Sequence, residues 1–407
     1  MSTRRAVVTG LGAVTPLGGD VETSWSGLIA NQRALRRITL FDPTGLRNEN
    51  AGQVDGWSFS PASFDLDAPP DRAVQFLLTA AREAVLDAGL PCPLPGRAGA
   101  CVATNFGASN AWEEYAAGYL AGEPAGKPFA SARFDDALAL LESAYELTGP
   151  GMLISMACAS GSASVGLGLD AIRYGRADVM LCGGHDSLAP THLAGLSVLR
   201  TMTADDILPF SANRSGTLFG EGSGVLVLEE LDHALARGAR IYAEVLGWAE
   251  NNNAYHLTAP DPGGRGMIRV LAAALADAGV KPSEIDYINA HGTGTEYHDP
   301  EETHAIKTVL GDHAYEIAVS SIKGAIGHLM GAAGSVEAVA TVKAIQTGTV
   351  PPTMNDGATD PGMDLDFVVN QSKAFPVSCA ASISAGIGGH NSCVVFRALS
   401  DQGGEAQ

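Results

Sequence analysis

Met152-Leu153-Ile154-Ser155-Met156-Ala157-Cys158-Ala159-Ser160-Gly161 leads from a short apolar strand, Met152–Ser155, through a turn of small residues. A helix follows over Ser162–Tyr174 and closes at Gly175, and a second apolar strand, Val179–Cys182, ends in Gly183-Gly184. Strand, turn, helix and strand in that order make one unit of a largely parallel α/β sheet with helices packed on its faces. Cys158 stands where the helix begins. The dipole and free N–H groups of a helix N-terminus are expected to lower a thiol's pKa toward neutrality.

The same alternation runs outward in both directions. Toward the N-terminus lie a strand at Ala6–Val8, a helix from about Asp20 or Thr23, and a polar, Pro- and Gly-rich excursion over Asn31–Pro70. A helix over Arg72–Ala88, a strand at Gly99–Ala103 and a mostly helical stretch over Ala111–Tyr145 complete that side. Gly10-Leu11-Gly12 invites a dinucleotide-binding reading, but Thr15-Pro16 stands where the third glycine would be needed. Toward the C-terminus, strands are expected at Val225–Glu229, Ile241–Leu246, Ile285–Ile288, Ile317–Ser320, Ala380–Ser384 and Cys393–Arg397. Helices at Arg269–Ala278, Glu301–Val309 and Ala332–Gln346 separate them. The chain thus divides into two similar halves, 1–240 and 241–400.

A chain of 407 residues with 46% hydrophobic residues and 49 glycines can bury a large core as a turn-rich α/β protein. The formal charge of −20 argues against nucleic acid as a partner. The six cysteines form no CxxC pair, no zinc-ligand spacing appears, and His298 and His304 read as surface or helix-face residues. With no signal-peptide core and no apolar run long enough to span a bilayer, a cytoplasmic protein without membrane attachment is expected.

Two further segments carry chemistry-bearing side chains among glycines, each directly after a strand. One is Asn289-Ala290-His291-Gly292-Thr293-Gly294-Thr295, the other Ser321-Ile322-Lys323-Gly324-Ala325-Ile326-Gly327-His328. Ligands of parallel α/β sheets gather at the carboxyl ends of strands, so both histidines are placed to converge on one site with Cys158.

Read together, these segments resemble the β-ketoacyl synthases of the thiolase fold. The likeness runs from Val8-Thr9-Gly10-Leu11-Gly12 through Pro209-Phe210, Gly220-Glu221-Gly222-Ser223-Gly224 and Asn253-Ala254-Tyr255-His256 to Gly386-Ile387-Gly388-Gly389-His390-Asn391. It is strongest toward the elongating synthase II branch and the type II polyketide ketosynthases. The resemblance implies a thiolase-like fold of two duplicated βαβ halves with mainly parallel sheets and helices between and around them. It implies a decarboxylative condensation. Cys158 would carry the acyl group, His291 and His328 would stabilise the enolate made from malonyl carrier, and Lys323 would position His328. Backbone N–H groups of Cys158 and Ile387 would bind the oxyanion, Thr293 and Thr295 the pantetheine arm, while Asp299 and Glu302 support the region.

The implied partners are an acyl carrier protein and a second subunit, either a copy of this chain or a sister resembling a chain-length factor. No metal or redox cofactor is implied. Docking an acidic carrier needs a local basic patch, for which Arg4, Arg5, Arg72, Arg200, Arg214, Arg237 and Arg240 are candidates.

Three departures bear on the acyl pocket. Ile387 takes the place of the family's gating phenylalanine, and His390 that of a usual threonine. Phe106 fills a position usually held by a smaller aliphatic residue, which would shorten or reshape the cavity; Gly388 completes the expected substrate-binding set. A specialised polyketide- or polyene-type pathway is the favoured expectation, with housekeeping fatty-acid elongation next. A non-catalytic partner subunit and a coenzyme A-dependent thiolase are rivals of another kind.

Overall fold

The computed structural model describes residues 4–122 and 133–399. Its first seven strands are β1 (Ala6–Val14), β2 (Leu35–Arg37), β3 (Asn50–Gly52), β4 (Ala98–Ala103), β5 (Gly151–Ile154), β6 (Val179–Asp186) and β7 (Gly222–Glu230). The helices among them are α1 (Val21–Ile29), α2 (Arg72–Asp87), α3 (Ser109–Leu120), α4 (Asp136–Tyr145), α5 (Ser160–Arg173), α6 (Pro190–Val198) and α7 (Leu231–Ala236). Then come β8 (Ala243–Asn252), β9 (Tyr287–Asn289), β10 (Ala318–Ser320), β11 (Thr349–Val350), β12 (Lys373–Ala374), β13 (Cys379–Gly386) and β14 (His390–Arg397). Helices α8 (Arg265–Ala278), α9 (His298–Leu310), α10 (Lys323–Ile326) and α11 (Ala333–Thr347) complete the second series.

Ten strands form one sheet in the order β10-β9-β13-β14-β8-β1-β7-β6-β4-β5. Read outward from its middle, the order 1-7-6-4-5 on one side matches 8-14-13-9-10 on the other. The directions match as well. On each side the two inner pairings are antiparallel and the two outer ones parallel. A short antiparallel contact of β1 with β8 joins the sides. The duplication expected from the sequence is therefore present, but the sheet is mixed rather than mainly parallel. Strands β6–β7 and β13–β14 run antiparallel, and β13 and β14 are joined by a tight hairpin that needs no crossover helix.

Helices α5 and α11 lie at the centre and touch strands of both sides. Every residue of α11 from Ala333 to Ile345 is buried, as a helix enclosed on all faces requires. Their close approach depends on glycine: a Cβ on Gly161 would lie 2.6 Å from the Ser335 nitrogen, and one on Gly334 would lie 2.4 Å from that of Ser162. Glycine weakens a helix by about 1 kcal/mol relative to alanine, so tertiary packing holds α5 in place.

Several elements differ from expectation at their ends. Strand β1 continues through Gly10 to Val14, because the side chains of Glu83 and Asp87 on α2 accept the N–H groups of Ala13 and Leu11. The expected helical stretch over Ala111–Tyr145 resolves into α3 and α4, with residues 123–132 between them outside the described residues. Helix α6, which the sequence reading omitted, follows directly on the last buried residues after β6. Among the described residues no helix is long and apolar enough to cross a membrane.

Candidate active site

Strand β5 delivers the chain to a sharp elbow. Ala157 adopts φ +49°, a conformation costly for a residue with a Cβ, and Cys158 follows immediately. Ser160, the first residue of α5, holds the elbow: its hydroxyl accepts from the Met156 N–H at 2.6 Å and donates to the Ala157 carbonyl at 2.5 Å. The other wall is the β13–β14 hairpin. A Cβ on Gly386 would lie 2.9 Å from the Cys158 nitrogen, so only glycine lets the Ile387 N–H reach the sulfur. Burial pushes the Cys158 thiol up to about 12, against the pull of Lys323 and the Ile387 N–H. The lowering expected from the helix N-terminus is therefore outweighed by desolvation.

His291 stands just after β9. Its backbone N–H and that of Gly292 donate to Glu302 at 2.7 and 2.8 Å. Asp299 likewise accepts the N–H groups of Thr293, Gly294 and Phe210. Both carboxylates come from the first turns of α9 and are fully buried, so they fix the 291–294 loop rather than sitting in solvent. Lys323 lies behind this loop, 1% exposed. Its ammonium donates to the His291 carbonyl at 2.6 Å, approaches His291 Nδ1 at 3.4 Å and forms a close ion pair with Glu337 of α11. Lys323 thus positions His291, not His328 as expected. Burial lifts the Glu337 carboxyl to about 7 against the opposing charge of Lys323.

His328 is set by a different device. Its N–H donates to the Leu218 carbonyl at 2.7 Å, Phe219 stacks on the ring, and its Nδ1 accepts from the Met330 N–H at 3.3 Å. The two imidazoles meet edge to face with ring centres 5.3 Å apart. With Nδ1 engaged by a donor in both, the hydrogen-bond network assigns the ring proton of each to Nε2. Burial, reinforced by Lys323, holds both well below the ordinary histidine pKa, so both are neutral donors near pH 7.

These groups line one cavity of about 780 Å³. Its wall includes Cys158, His291, His328, Phe106, Thr293, Thr295, Ile387 and Gly388. The hydroxyls of Thr293 and Thr295 are 3.1 Å apart. Phe106 stacks on His192 of α6 at 3.7 Å between ring centres, and it shares an apolar cluster with Ile387 and Phe219. His390 is the exception: it closes the hairpin opposite Gly386 and takes no part in the cavity wall.

Two groups at the site carry no sequence signal for their place in it. Asp186 ends β6 fully buried and accepts from the N–H groups of Asn105, Phe106 and Gly331 and the hydroxyl of Thr104, tying the Phe106 segment to the one that follows His328. His298, expected at the surface or on a helix face, opens α9 and lines the cavity beside His291. Of the seven arginines considered for carrier docking, Arg4, Arg5, Arg72, Arg214, Arg237 and Arg240 are in ion pairs with acidic side chains. Arg200 forms none among the described residues and lines the cavity together with Arg47.

A cysteine and two neutral imidazole N–H donors in one cavity, on a duplicated sheet of this topology, fit a condensing acyltransferase of the thiolase fold. The comparisons agree. The family model described as beta-ketoacyl synthase, N-terminal domain, matches residues 3–234, and that of the C-terminal domain matches residues 242–356. The chain belongs to the β-ketoacyl synthase family. It is 41% identical to the 3-oxoacyl-[acyl-carrier-protein] synthase 2 of Synechocystis, over 97% of this chain and 98% of that one. It is 38% identical to the tetracenomycin polyketide synthase ketoacyl synthase alpha subunit of Streptomyces glaucescens, over 97% of each. Among solved structures, the ishigamide ketosynthase/chain length factor superposes with a TM-score of 0.91 at 37% identity, covering 98% of this chain and 100% of that one. A type II polyketide synthase acyl-carrier protein in complex with its ketosynthase gives 0.90 at 34%, with the same coverage. Its activity is that of the family, a condensation that joins an acyl group to malonyl carrier with loss of carbon dioxide.

Proposed function

We propose that Cys158 takes the acyl chain as a thioester and that His291 and His328 bind the enolate oxygen formed as malonyl carrier loses carbon dioxide. The observation that carries this assignment is the pair of imidazoles, each held as a neutral Nε2–H donor in the cavity that contains Cys158. A neutral donor strengthens its bond as negative charge develops on the oxygen, which is the differential binding that accelerates a reaction. The N–H groups of Cys158 and Ile387 bind the oxyanion of the tetrahedral intermediate. One such donor is typically worth about 10²–10³ in rate. Thr293 and Thr295 hold the pantetheine arm, and Lys323 with Glu337 keeps His291 in place. No metal or redox group enters the scheme, because decarboxylation supplies the driving force.

The carrier docks at the cavity mouth, where Arg47 and Arg200 supply the positive charge an acidic partner requires against the overall −20. The substrate belongs to a specialised, polyketide- or polyene-type pathway in the cytoplasm. Support comes from the acyl wall: the stacked Phe106–His192 pair, and Ile387 where a large aromatic gate would otherwise stand. The enzyme works as a dimer, with a copy of itself or with a sister subunit resembling a chain-length factor.

The test is a panel of acyl carriers, saturated and unsaturated, short and long, offered with and without candidate sister subunits, each followed by malonyl carrier. Selective extension of short or conjugated chains supports the proposal. Efficient extension of long saturated chains by the homodimer assigns the enzyme to fatty-acid elongation instead.

A further inference from the structure

The cavity is bordered by a third imidazole. His298 opens α9, and its ring meets that of His291 edge to face, with centres 4.9 Å apart. Its Nε2 is buried without a hydrogen bond and lies 3.5 Å from Glu302 Oε2. A carboxylate oxygen at that distance favours a proton on the nitrogen facing it. The remaining nitrogen, Nδ1, has no hydrogen-bond partner among the described residues, and the residue lines the cavity with its side chain 13% exposed. In His291 and His328 the opposite holds: Nδ1 is engaged and Nε2 carries the proton. Of the three rings, His298 alone has an imidazole lone pair left over for the cavity.

The reaction has a use for one. With burial holding the Cys158 thiol up, the resting enzyme carries the S–H proton, and the two donor imidazoles have no lone pair with which to accept it. Beyond the condensation that the family's reaction supplies, we propose that His298 is the proton carrier of the cycle. In acyl transfer the Cys158 sulfur bonds the acyl carbonyl carbon and the carbon–sulfur bond to the carrier arm breaks. The Cys158 proton passes to His298 Nδ1, directly or through a water, and from there to the departing pantetheine sulfur. In condensation the malonyl carbon–carbon bond breaks with release of carbon dioxide. Its electron pair forms the new bond to the acyl carbon, and the carbon–sulfur bond to Cys158 breaks. The resulting thiolate takes one proton, drawn from solvent through His298, so that one proton is consumed per turnover.

The titratable groups that interact with His298 are His291, His328, Glu302 and Asp299, with Lys323 beyond His291. Positive charge at His298 pushes His291 and His328 further below the ordinary histidine range, so the two donors stay neutral.

The experiment separates the half-reactions in wild type, His298→Ala and His298→Gln. Acylation of Cys158 is followed by rapid quench and intact mass. Condensation is followed in a single turnover from isolated acyl-enzyme and malonyl carrier. Acylation is expected to slow by at least about tenfold in both variants and to recover in His298→Ala with added imidazole. Carbon–carbon bond formation from acyl-enzyme, which precedes the return of the proton, is expected to stay within about twofold. Slowed condensation with normal acylation would overturn the proposal, leaving His298 as a support for the His291 ring. Unchanged rates in both half-reactions, or slow acylation that imidazole does not rescue, would overturn it too. If wild type is never acylated at Cys158, the assignment of the nucleophile fails instead, and the two failures are told apart.

Discussion

The two sides of the sheet use the same slots for different chemistry. Strand β5 and its counterpart β10 are both outer strands, and each leads into a central buried helix, α5 or α11. On the first side the connection is a five-residue elbow carrying Cys158; on the second it is a longer segment carrying Lys323 and His328. Strands β4 and β9 correspond in the same way: one is followed by Phe106, the other by His291. On the mechanism proposed above, the first side supplies the nucleophile and the acyl wall, while the second supplies the enolate donors and their supports. A duplicated scaffold gives position, and the residues placed in its connections give chemistry.

Substitutions in matching slots should therefore fail at different steps. Cys158→Ala is expected to abolish acylation altogether. His291→Ala and His328→Ala should still be acylated yet lose about 10²–10³ in condensation, measured as ketoacyl product from acyl-enzyme. Loss of acylation in the histidine variants would break the division of labour.

Lys323→Ala leaves Glu337 buried without its cation. A denaturant titration should show about 3–5 kcal/mol of lost stability, with no equivalent penalty for Cys158→Ala. Asp186 gives a smaller, pH-dependent effect. Burial raises its carboxyl from 3.8 to about 6. A raised carboxyl stabilises the fold most where it is protonated, below its unfolded pKa, and that contribution is lost as pH rises through about 6. Unfolding free energy should fall by about 3 kcal/mol at most between pH 4 and 7, and Asp186→Asn should flatten that decline. The smallest change is in selectivity: Phe106→Ala should shift the preferred acyl chain to a longer one by a few carbons without altering the Cys158 or histidine steps, read from competition between carriers.

Much of this was legible in the chain. Cys158, His291 and His328 each follow a strand within small residues, so the short apolar runs and the glycines located them. Asp299 and Glu302 were marked by the resemblance alone, since the expected helix began only at Glu301; in the structure both carboxylates accept backbone N–H groups of the 291–294 loop. What the sequence could not show was which side chains meet across long separations. Lys323 reaches His291 rather than the His328 five residues ahead of it, since α10 turns its side chain back toward β9 and α11. His298 looked like a helix-face residue because nothing local reveals that α9 packs its first turn against the cavity. The thiol's pKa is expected to fall because a helix N-terminus is a local feature, whereas the burial that raises it depends on the whole fold, in which the hairpin of the other half packs against Cys158.

The most direct test of the account is peptide-mapped mass spectrometry of the protein after an acyl carrier is added and again after malonyl carrier. The account predicts an adduct on Cys158 alone, which disappears on the second addition as a carrier-bound product two carbons longer forms. An adduct on another residue, or one on Cys158 that malonyl carrier leaves in place or releases unextended, would contradict it.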